Sequence, residues 1–430
     1  MLTVYTPEIT PRITFIMDVI FKEHFKIAYY LTESLDEFNK ADLKMSYATQ
    51  PVSDEIFINR HPLIIEADIG EQIIDFCTFE DENVFFPSSH NQSFLPFDIF
   101  SFAFFLLSRY EEYLPHKKDK YNRFPSTESI AYKSGFLQKP LVDIVILKFA
   151  KKLQEALPEL KFESSQSRYL ATYDIDNAYA YKYKGIVRSI GGLLKLSARF
   201  KWKEVIDRIA VLLQQKKDPF DTYEYIRMLQ EKYRFDTYYF ILFSEQDKYD
   251  RGLNPQNKYF HRLIKQLEKT GRVGIHPSFA SHANKIKLKK EISGLSSVLE
   301  REITLSRSHY LLLDFPESYK NLIENGIKAD FTLGYADQAG FRASTCKAFN
   351  FFDLSTNQET SLKLYPLTYM EGSLQNYMGL TEKEELIFIK QLIDEVKSVD
   401  GIFVSLWHNE TLEKNECKKI YEKSLDYFFT

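Results

Sequence analysis

From residue 168 onward, short apolar segments alternate with helical patterns. The apolar segments are rich in β-branched and aromatic residues, which is typical of buried strands. The clearest are RYLATYDID (168–176), DTYYFILF (236–243), RVGIH (272–276), HYLLLDF (309–315) and GIFVSLWH (401–408). Continuously apolar strands separated by helices predict a parallel sheet with helices outside it, either open or closed into a barrel.

The first part of the chain lacks this alternation. It mixes short β-like segments with helical patterns near 97–113 and 140–156. The segment 157–167 has the polar, turn-forming composition of a linker. We therefore predict two domains, with a smaller α+β domain of unknown function over residues 1–165 and the strand–helix domain over residues 166–430.

The composition is that of a well-packed globular protein, because 44% of the 430 residues are hydrophobic and 15% are aromatic. A net charge of −4 gives no electrostatic reason to expect nucleic acid or an anionic membrane surface as a partner. No apolar run approaches the roughly 20 residues of a membrane span. The first residues lack the basic segment and continuous apolar stretch of a signal peptide, so we expect a cytoplasmic location.

Ionisable residues stand where the apolar segments end. Asp174 and Asp176 follow LATY, His276 follows RVGI and His408 follows GIFVSLW, while Arg342 lies in the loop-like GYADQAGFRAST. In α/β barrels, functional groups collect at the carboxyl ends of the strands. Each residue alone has an ordinary explanation, such as a capped turn at Asp176, but their recurrence favours a functional site. Carboxylates and imidazoles are typical ligands of zinc and related divalent metals.

Three short motifs resemble those of the polysaccharide deacetylases, carbohydrate esterase family 4. TYDID (172–176) resembles the family's Thr-Phe-Asp-Asp-Gly motif, GFR (340–342) its arginine motif and LWH (406–408) its Leu-x-His motif. The resemblance covers roughly residues 168–430. It implies that the first aspartate of TYDID, Asp174, is the catalytic base and that the second, Asp176, binds the metal.

The same resemblance implies a fold and further roles. The family folds as a distorted, partly open (β/α) barrel, so we expect such a barrel after the smaller N-terminal α+β domain. Arg342 is expected to orient the base, and His408 is expected to be the general acid. Tyr173 and Trp407 flank the site in sequence and are expected either to stack on a sugar or to pack in the core.

The histidine motif departs from the family pattern. The family has two histidines four residues apart, but the residue four positions after His276 is Ala280. The alternatives for the third metal ligand are His309 and His282, and we favour His309 because it adjoins an apolar segment. The acidic fourth motif also has two alternatives, Asp353 and Glu371.

The resemblance implies a metal-dependent hydrolase that removes an N- or O-linked acetyl group from a carbohydrate. The expected metal is zinc, with cobalt, nickel or manganese as alternatives. The expected partner is an acetylated sugar, oligosaccharide or glycoconjugate. Two other interpretations stay open: a catalytically inactive carbohydrate-binding barrel, or another metal-dependent hydrolase that acts on a phosphoester or an amide.

Overall fold

The computed structural model describes residues 1–163, 165–185, 190–192, 194 and 197–430. The N-terminal region contains a four-stranded sheet in the order β2-β1-β3-β4, and each neighbouring pair is parallel. The sequence predicts an α+β domain, whereas parallel strands joined by crossovers are an α/β arrangement. The strands are β1 (Leu2–Tyr5), β2 (Tyr29–Thr32), β3 (Lys44–Ala48) and β4 (Ile56–Asn59).

Several helices of this region begin at a residue whose side chain caps them. Asp98 caps the apolar helix Ile99–Leu107, because its side chain accepts hydrogen bonds from the first-turn backbone N–H groups. Thr10 caps Pro11–Met17 in the same way. The other elements are helices Leu35–Asn39, Ile130–Lys133 and Leu141–Ala156, the π-helix Asp18–His24, 3-10 turns Pro62–Ile64, Tyr110–Tyr113 and Ser126–Glu128, and the antiparallel hairpin of β5 (Phe76–Phe79) and β6 (Glu82–Phe85).

A second, larger sheet of nine strands forms within the described part of the remaining chain. Its order is β12-β13-β11-β10-β9-β8-β7-β15-β14, and all neighbouring pairs are parallel except β12 with β13. The strands are β7 (Arg168–Ile175), β8 (Asp236–Ile241), β9 (Arg272–Ile275), β10 (Leu305–Ser306), β11 (Ala329–Asp330), β12 (Phe349–Asp353), β13 (Gln358–Leu364), β14 (Tyr369–Met370) and β15 (Ile402–His408).

The segment 365–368, between β13 and β14, joins the two sides of this sheet. The N–H of Leu367 donates to the carbonyl of Leu333, just after β11, at 2.9 Å, and the N–H of Thr368 donates to that of Val404 in β15 at 3.0 Å. The chain therefore passes from one side of the curled sheet to the other and closes it without a full strand. The predicted distorted (β/α) barrel is confirmed.

Helices separate most of the parallel strands, as a crossover topology requires, whereas β12 lies between β11 and β13. Among the described residues, none of these helices is long and apolar enough to cross a membrane. The helices are Trp202–Leu212, Tyr223–Tyr233, Lys258–Leu267, Lys285–Leu299, Glu317–Glu324, Glu382–Ser398 and Asn415–Phe429, with 3-10 turns Phe279–Ser281, His309–Leu311 and Thr411–Glu413 and the π-helix Ser373–Tyr377.

Strand β7 shows how the barrel separates two cores. Alternate residues of a strand point to opposite faces. Leu170 packs inside the barrel with Phe240, Phe331 and Val404 from neighbouring segments. Tyr173 instead joins the larger core between the sheet and the helices. The inward-facing series of β7 continues through Thr172 to Asp174, which brings the first predicted site residue to the mouth of the barrel.

The strand predicted over 309–315 is wrong. The strand of this part of the chain is β10, and His309–Leu311 form a 3-10 turn. Tyr310 and Leu311 have φ angles of +60° and +52°, which are incompatible with an extended strand. The three leucines at 311–313 are nevertheless buried, so their hydrophobicity reflects the core rather than the local backbone conformation.

The N-terminal region packs directly on the barrel. The rings of Phe15 and Phe104 each lie 5.1 Å from that of Phe352 in β12. These rings belong to one hydrophobic core that extends across both parts of the chain. The domain boundary near residue 165 stays a prediction.

Candidate active site

The site lies at the carboxyl ends of the parallel strands. Asp176 directly follows β7, and His276 directly follows β9. His309 lies in the turn after β10, and His408 is the last residue of β15. These side chains line a cavity of about 230 Å³ at the mouth of the barrel. The strand-end pattern in the sequence therefore brings together residues from four separate segments.

Three of these side chains form a cluster that could hold a metal ion. Asp176 Oδ1 lies 3.2 Å from His276 Nε2, and Asp176 Oδ2 lies 3.3 Å from His309 Nε2. The three potential ligand atoms are all within 4.8 Å of one another. One carboxylate with two imidazoles is a common donor set for zinc.

Hydrogen bonds at the far side of each imidazole fix which nitrogen faces Asp176. His276 Nδ1 lies 2.5 Å from the carbonyl oxygen of Arg307, and His309 Nδ1 lies 2.9 Å from a carboxylate oxygen of Asp250. Both partners accept hydrogen bonds, so each Nδ1 carries the proton. In neutral imidazoles the two Nε2 lone pairs therefore point toward Asp176. Lone pairs that converge in this way require a cation or added protons between them.

The Asp176 carboxylate, whose side chain is 17% exposed, fits this interpretation. Its Oδ1 atom has no hydrogen-bond partner among the described residues. Burial raises the pKa of Asp176, but the charge of His309 and the close approach of both imidazoles outweigh burial and hold the pKa well below its usual range. Burial lowers the pKa of His309, but Asp176 and Asp250 raise it overall to about 9. A cation would replace this proton.

Asp250 acts behind His309 as its outer partner. Its carboxylate accepts hydrogen bonds from the backbone N–H groups of Phe279 and Ala280 at 2.8 and 3.1 Å. These bonds fix the carboxylate, which in turn fixes the ring of His309. A carboxylate that orients a metal-binding histidine is a recurrent feature of zinc sites.

Asp174 lies beside the cluster and is almost completely buried, with 2% of its surface exposed. Its Oδ1 lies 3.2 Å from Arg307 Nη1, and its Oδ2 lies 3.6 Å from His276 Nε2. Arg307 also donates to Thr172 Oγ1 at 2.5 Å. One buried guanidinium therefore holds the carboxylate of Asp174 in position.

His408 lies on the strand next to Asp174 and in register with it. Its Nδ1 lies 2.7 Å from Glu371 Oε1, and its Nε2 lies 3.8 Å from Asp176 Oδ2. Burial lowers the pKa of His408, but the charge and hydrogen bond of Glu371 outweigh burial and raise the pKa well above its usual value. The imidazole therefore presents a protonated Nε2 to the cleft.

The structure places Arg342 away from the base that it was expected to orient. Arg342 binds the buried carboxylate of Glu112, with Nε 2.9 Å from Oε1 and a second contact between Nη2 and Oε2. It also donates to the carbonyl of Gly334 at 2.9 Å. The arginine in contact with Asp174 is Arg307, and Arg342 instead ties the barrel to the N-terminal region.

Tyr173 and Trp407 pack in the core and do not reach the cleft. Both side chains are fully buried. The hydroxyls of Tyr173 and Tyr421 are 2.7 Å apart, and Trp407 Nε1 donates to the hydroxyl of Tyr369 at 2.9 Å. The sugar-stacking alternative for these two rings is therefore corrected to packing. Each adjoins a site residue in sequence, and the strand pleat turns it to the opposite face.

The structure separates the alternatives that the sequence leaves open. His282 lies 3.0 Å from Asp314 and is outside the cluster, whereas His309 is part of it. Asp353 contacts Lys320 at 3.3 Å, whereas Glu371 lines the cleft. His309 and Glu371 are therefore the residues that stand at the site.

Two residues of this arrangement received no role in the sequence interpretation, although Arg307 is close to His309 in sequence. Asp250 lies in a polar loop and ends no apolar segment, so no pattern distinguishes it from its neighbours. Arg307 directly follows the short strand β10, which the apolar pattern misplaced. A correct assignment of β10 would have placed Arg307 at a strand end.

Comparison with protein families identifies the N-terminal region only. Residues 2–158 match the model of a family of unknown function, DUF7033. Curated proteins contain no match to this chain. The family match therefore supplies no activity for the barrel.

Solved structures show a low-level likeness to the barrel. A Mycobacterium smegmatis protein named as a polysaccharide deacetylase has 11% identity and a TM-score of 0.42, and the alignment covers 62% of this chain and 85% of that one. A Bacillus cereus polysaccharide deacetylase has 13% identity and a TM-score of 0.29, and the alignment covers 61% of this chain and 86% of that one. PuuE allantoinase has 8% identity and a TM-score of 0.36, and the alignment covers 61% of this chain and 83% of that one.

Proposed function

We propose that this protein is a metal-dependent hydrolase that removes acetyl groups from a carbohydrate. The observation that carries the proposal is the arrangement of five residues in one cleft. Asp174 and His408 stand in register on neighbouring strands, beside a three-residue cluster with converging lone pairs. A base, an acid and a cation site within reach of one another are what metal-assisted hydrolysis of an acyl group needs. The cluster consists of Asp176, His276 and His309.

Asp174 is the proposed general base. A divalent cation held by Asp176, His276 and His309 would supply Lewis-acid polarisation of the acetyl carbonyl. Asp174 would take the proton of the attacking water, and Arg307 would hold its carboxylate in place through the contact at 3.2 Å. Burial of this carboxylate would keep other water away from it.

His408 is the proposed general acid. Glu371 holds its Nδ1, so only Nε2 faces the cleft. Nε2 would give its proton to the sugar nitrogen or oxygen as the bond to the acetyl carbon breaks. Glu371 also accepts hydrogen bonds from the backbone N–H of His408 and from Thr411 Oγ1, which fixes the pair for this transfer.

The composition of the cleft bears on the two rival interpretations. An inactive sugar-binding barrel has no need of a buried base and a partly buried acid in register beside a cation site. A phosphoester hydrolase usually gathers basic or glycine-rich phosphate contacts. Here the central side chains are three acids and three histidines, and the guanidinium of Arg123, which lines the cleft, is paired with Asp119. Deacetylation therefore has the better support, together with the motif resemblance at 172–176 and 406–408.

Acetate release tests this proposal directly. The substrates are a β-1,4-linked N-acetylglucosamine tetramer and an O-acetylated xylo-oligosaccharide, with 4-nitrophenyl phosphate as the comparison. We expect zinc-loaded protein to release acetate from one of the two sugars, to lose that activity in a chelator and to regain it with added zinc. Phosphate release without acetate would favour the phosphoester alternative. Sugar binding without acetate release would favour the inactive barrel.

A further inference from the structure

Four aromatic rings form a half-exposed cluster at the rim of the cleft. Tyr121 comes from the N-terminal region, and the loops after β8, β9 and β10 supply Tyr249, Phe279 and Tyr310 respectively. Every pair of these rings lies within contact range, from 4.3 Å between Tyr249 and Phe279 to 6.4 Å between Tyr121 and Phe279. We call these four rings the aromatic platform.

The aromatic platform adjoins the metal-binding cluster. Tyr310 lines the cleft itself, and its ring centroid lies 4.6 Å from that of His309. All four rings keep part of their surface exposed, in contrast to the fully buried rings of Tyr173 and Trp407. Half-exposed aromatic rings offer an apolar face with a polar edge, which suits ligands that have both characters.

Buried polar contacts hold Tyr121 over the barrel. Arg123 is buried and donates from Nη1 to the carbonyl of Tyr310 at 2.7 Å. Asp119 accepts from Arg123 Nε at 2.9 Å and from the backbone N–H of Tyr121 at 2.8 Å. A second contact with the barrel is the hydrogen bond that Ser126 Oγ donates to Asp337 Oδ2 at 2.8 Å. The N-terminal segment is therefore fixed to the same turn that carries His309.

We infer that the aromatic platform is a binding subsite for a sugar ring next to the one that is deacetylated. The inference rests on the proposed function for the class of ligand, and it assigns the N-terminal region a part in substrate binding through Tyr121. The C–H face of a pyranose is apolar and would stack on the exposed rings. The substrate would then be an oligosaccharide or a longer glycan rather than a single acetylated sugar.

Calorimetry with the N-acetylglucosamine tetramer tests this inference without turnover when all variants carry Asp174→Asn. We expect Tyr121→Ala to weaken tetramer binding about fivefold, because one aromatic contact usually contributes that much. Tyr121→Phe keeps the ring and should leave tetramer binding unchanged. The matched control is Tyr132→Ala, because Tyr132 is 43% exposed and does not belong to the platform. Tyr249→Ala, on the barrel side, repeats the test if Tyr121→Ala fails to fold.

The outcomes separate this inference from the proposed function. Unchanged tetramer binding in both alanine variants would overturn the subsite, and so would a parent protein that does not bind the tetramer. Loss of binding in both platform variants, with Tyr132→Ala unaffected, would support the subsite even if no acetate were ever released. In the active protein, the same variants should raise KM for the tetramer and leave its kcat unchanged.

Discussion

Replacing Asp174 by asparagine is expected to lower acetate release about 10²- to 10⁴-fold, the range that a general base contributes. Asparagine has nearly the same shape and can keep a hydrogen bond from Arg307, but it cannot take a proton from water. Zinc affinity should change little, since Asp174 is not one of the three clustered ligands. Initial rates with zinc-loaded protein, and zinc titration of the same sample, measure both effects.

The matched control for this variant is Asp353→Asn. Asp353 is also a buried aspartate at the end of a strand, with 3% of its surface exposed, but it contacts Lys320 and does not line the cleft. We expect Asp353→Asn to keep its activity. Near wild-type acetate release by Asp174→Asn would remove Asp174 as the base.

Replacing Glu112 by glutamine is expected to lower the free energy of unfolding by about 3–5 kcal/mol, the usual cost of removing one partner of a buried ion pair. Glu112 Oε1 lies 2.8 Å from Arg109 Nε and 2.9 Å from Arg342 Nε. All three side chains are buried, so the variant leaves two guanidinium groups with less compensation. Urea titration, followed by far-ultraviolet circular dichroism, measures the shift.

The control for this variant is Glu204→Gln. Glu204 pairs with Lys201 at 2.6 Å, but both side chains are about half exposed, so the loss should stay below about 1 kcal/mol. Equal urea midpoints for the two variants would show that the buried pair contributes no more than the exposed one. Such a result would also contradict the interpretation that Arg342 stabilises the contact between the barrel and the N-terminal region by binding Glu112.

The contribution of Glu112 also has a definite pH dependence. Burial raises the pKa of Glu112, but the charges of Arg342 and Arg109 outweigh burial and leave the pKa below its usual value. A depressed pKa in the folded state means that the stabilisation is present above the unfolded pKa of about 4.3. It is lost as the pH falls through the lower folded pKa. The stability difference between wild type and Glu112→Gln should therefore shrink on acidification.

The apolar segments of the sequence were enough to predict the strands that carry the site. Strands β7, β8, β9 and β15 all match apolar segments of the sequence, and their ends supply Asp174, Asp176, His276 and His408. The reason is that a parallel sheet places all carboxyl ends at one edge, so strand ends predict proximity without any tertiary information. His309 was also identified, although the segment that follows it proved to be a turn.

Contacts between distant segments were not predictable in the same way. Both Arg342 and Arg307 are close to the barrel strands in sequence, and the choice between them depends on Glu112, which lies in the other region of the chain. The packing of Tyr173 and Trp407 is a different case. Each is the immediate neighbour of an inward-facing site residue, so strand alternation alone places it on the opposite face.

Zinc titration of metal-depleted protein tests the central claim most directly. Each variant replaces one histidine by glutamine, at His309 inside the cluster or at His282 outside it. We predict that each wild-type chain binds one zinc ion and that His282→Gln keeps the wild-type zinc affinity. In His309→Gln we expect the zinc affinity to fall at least about a hundredfold, which exceeds the usual effect of replacing a residue that only contacts a metal ligand. No zinc binding by the wild type, or equal loss in the two variants, would contradict a metal centre at Asp176, His276 and His309.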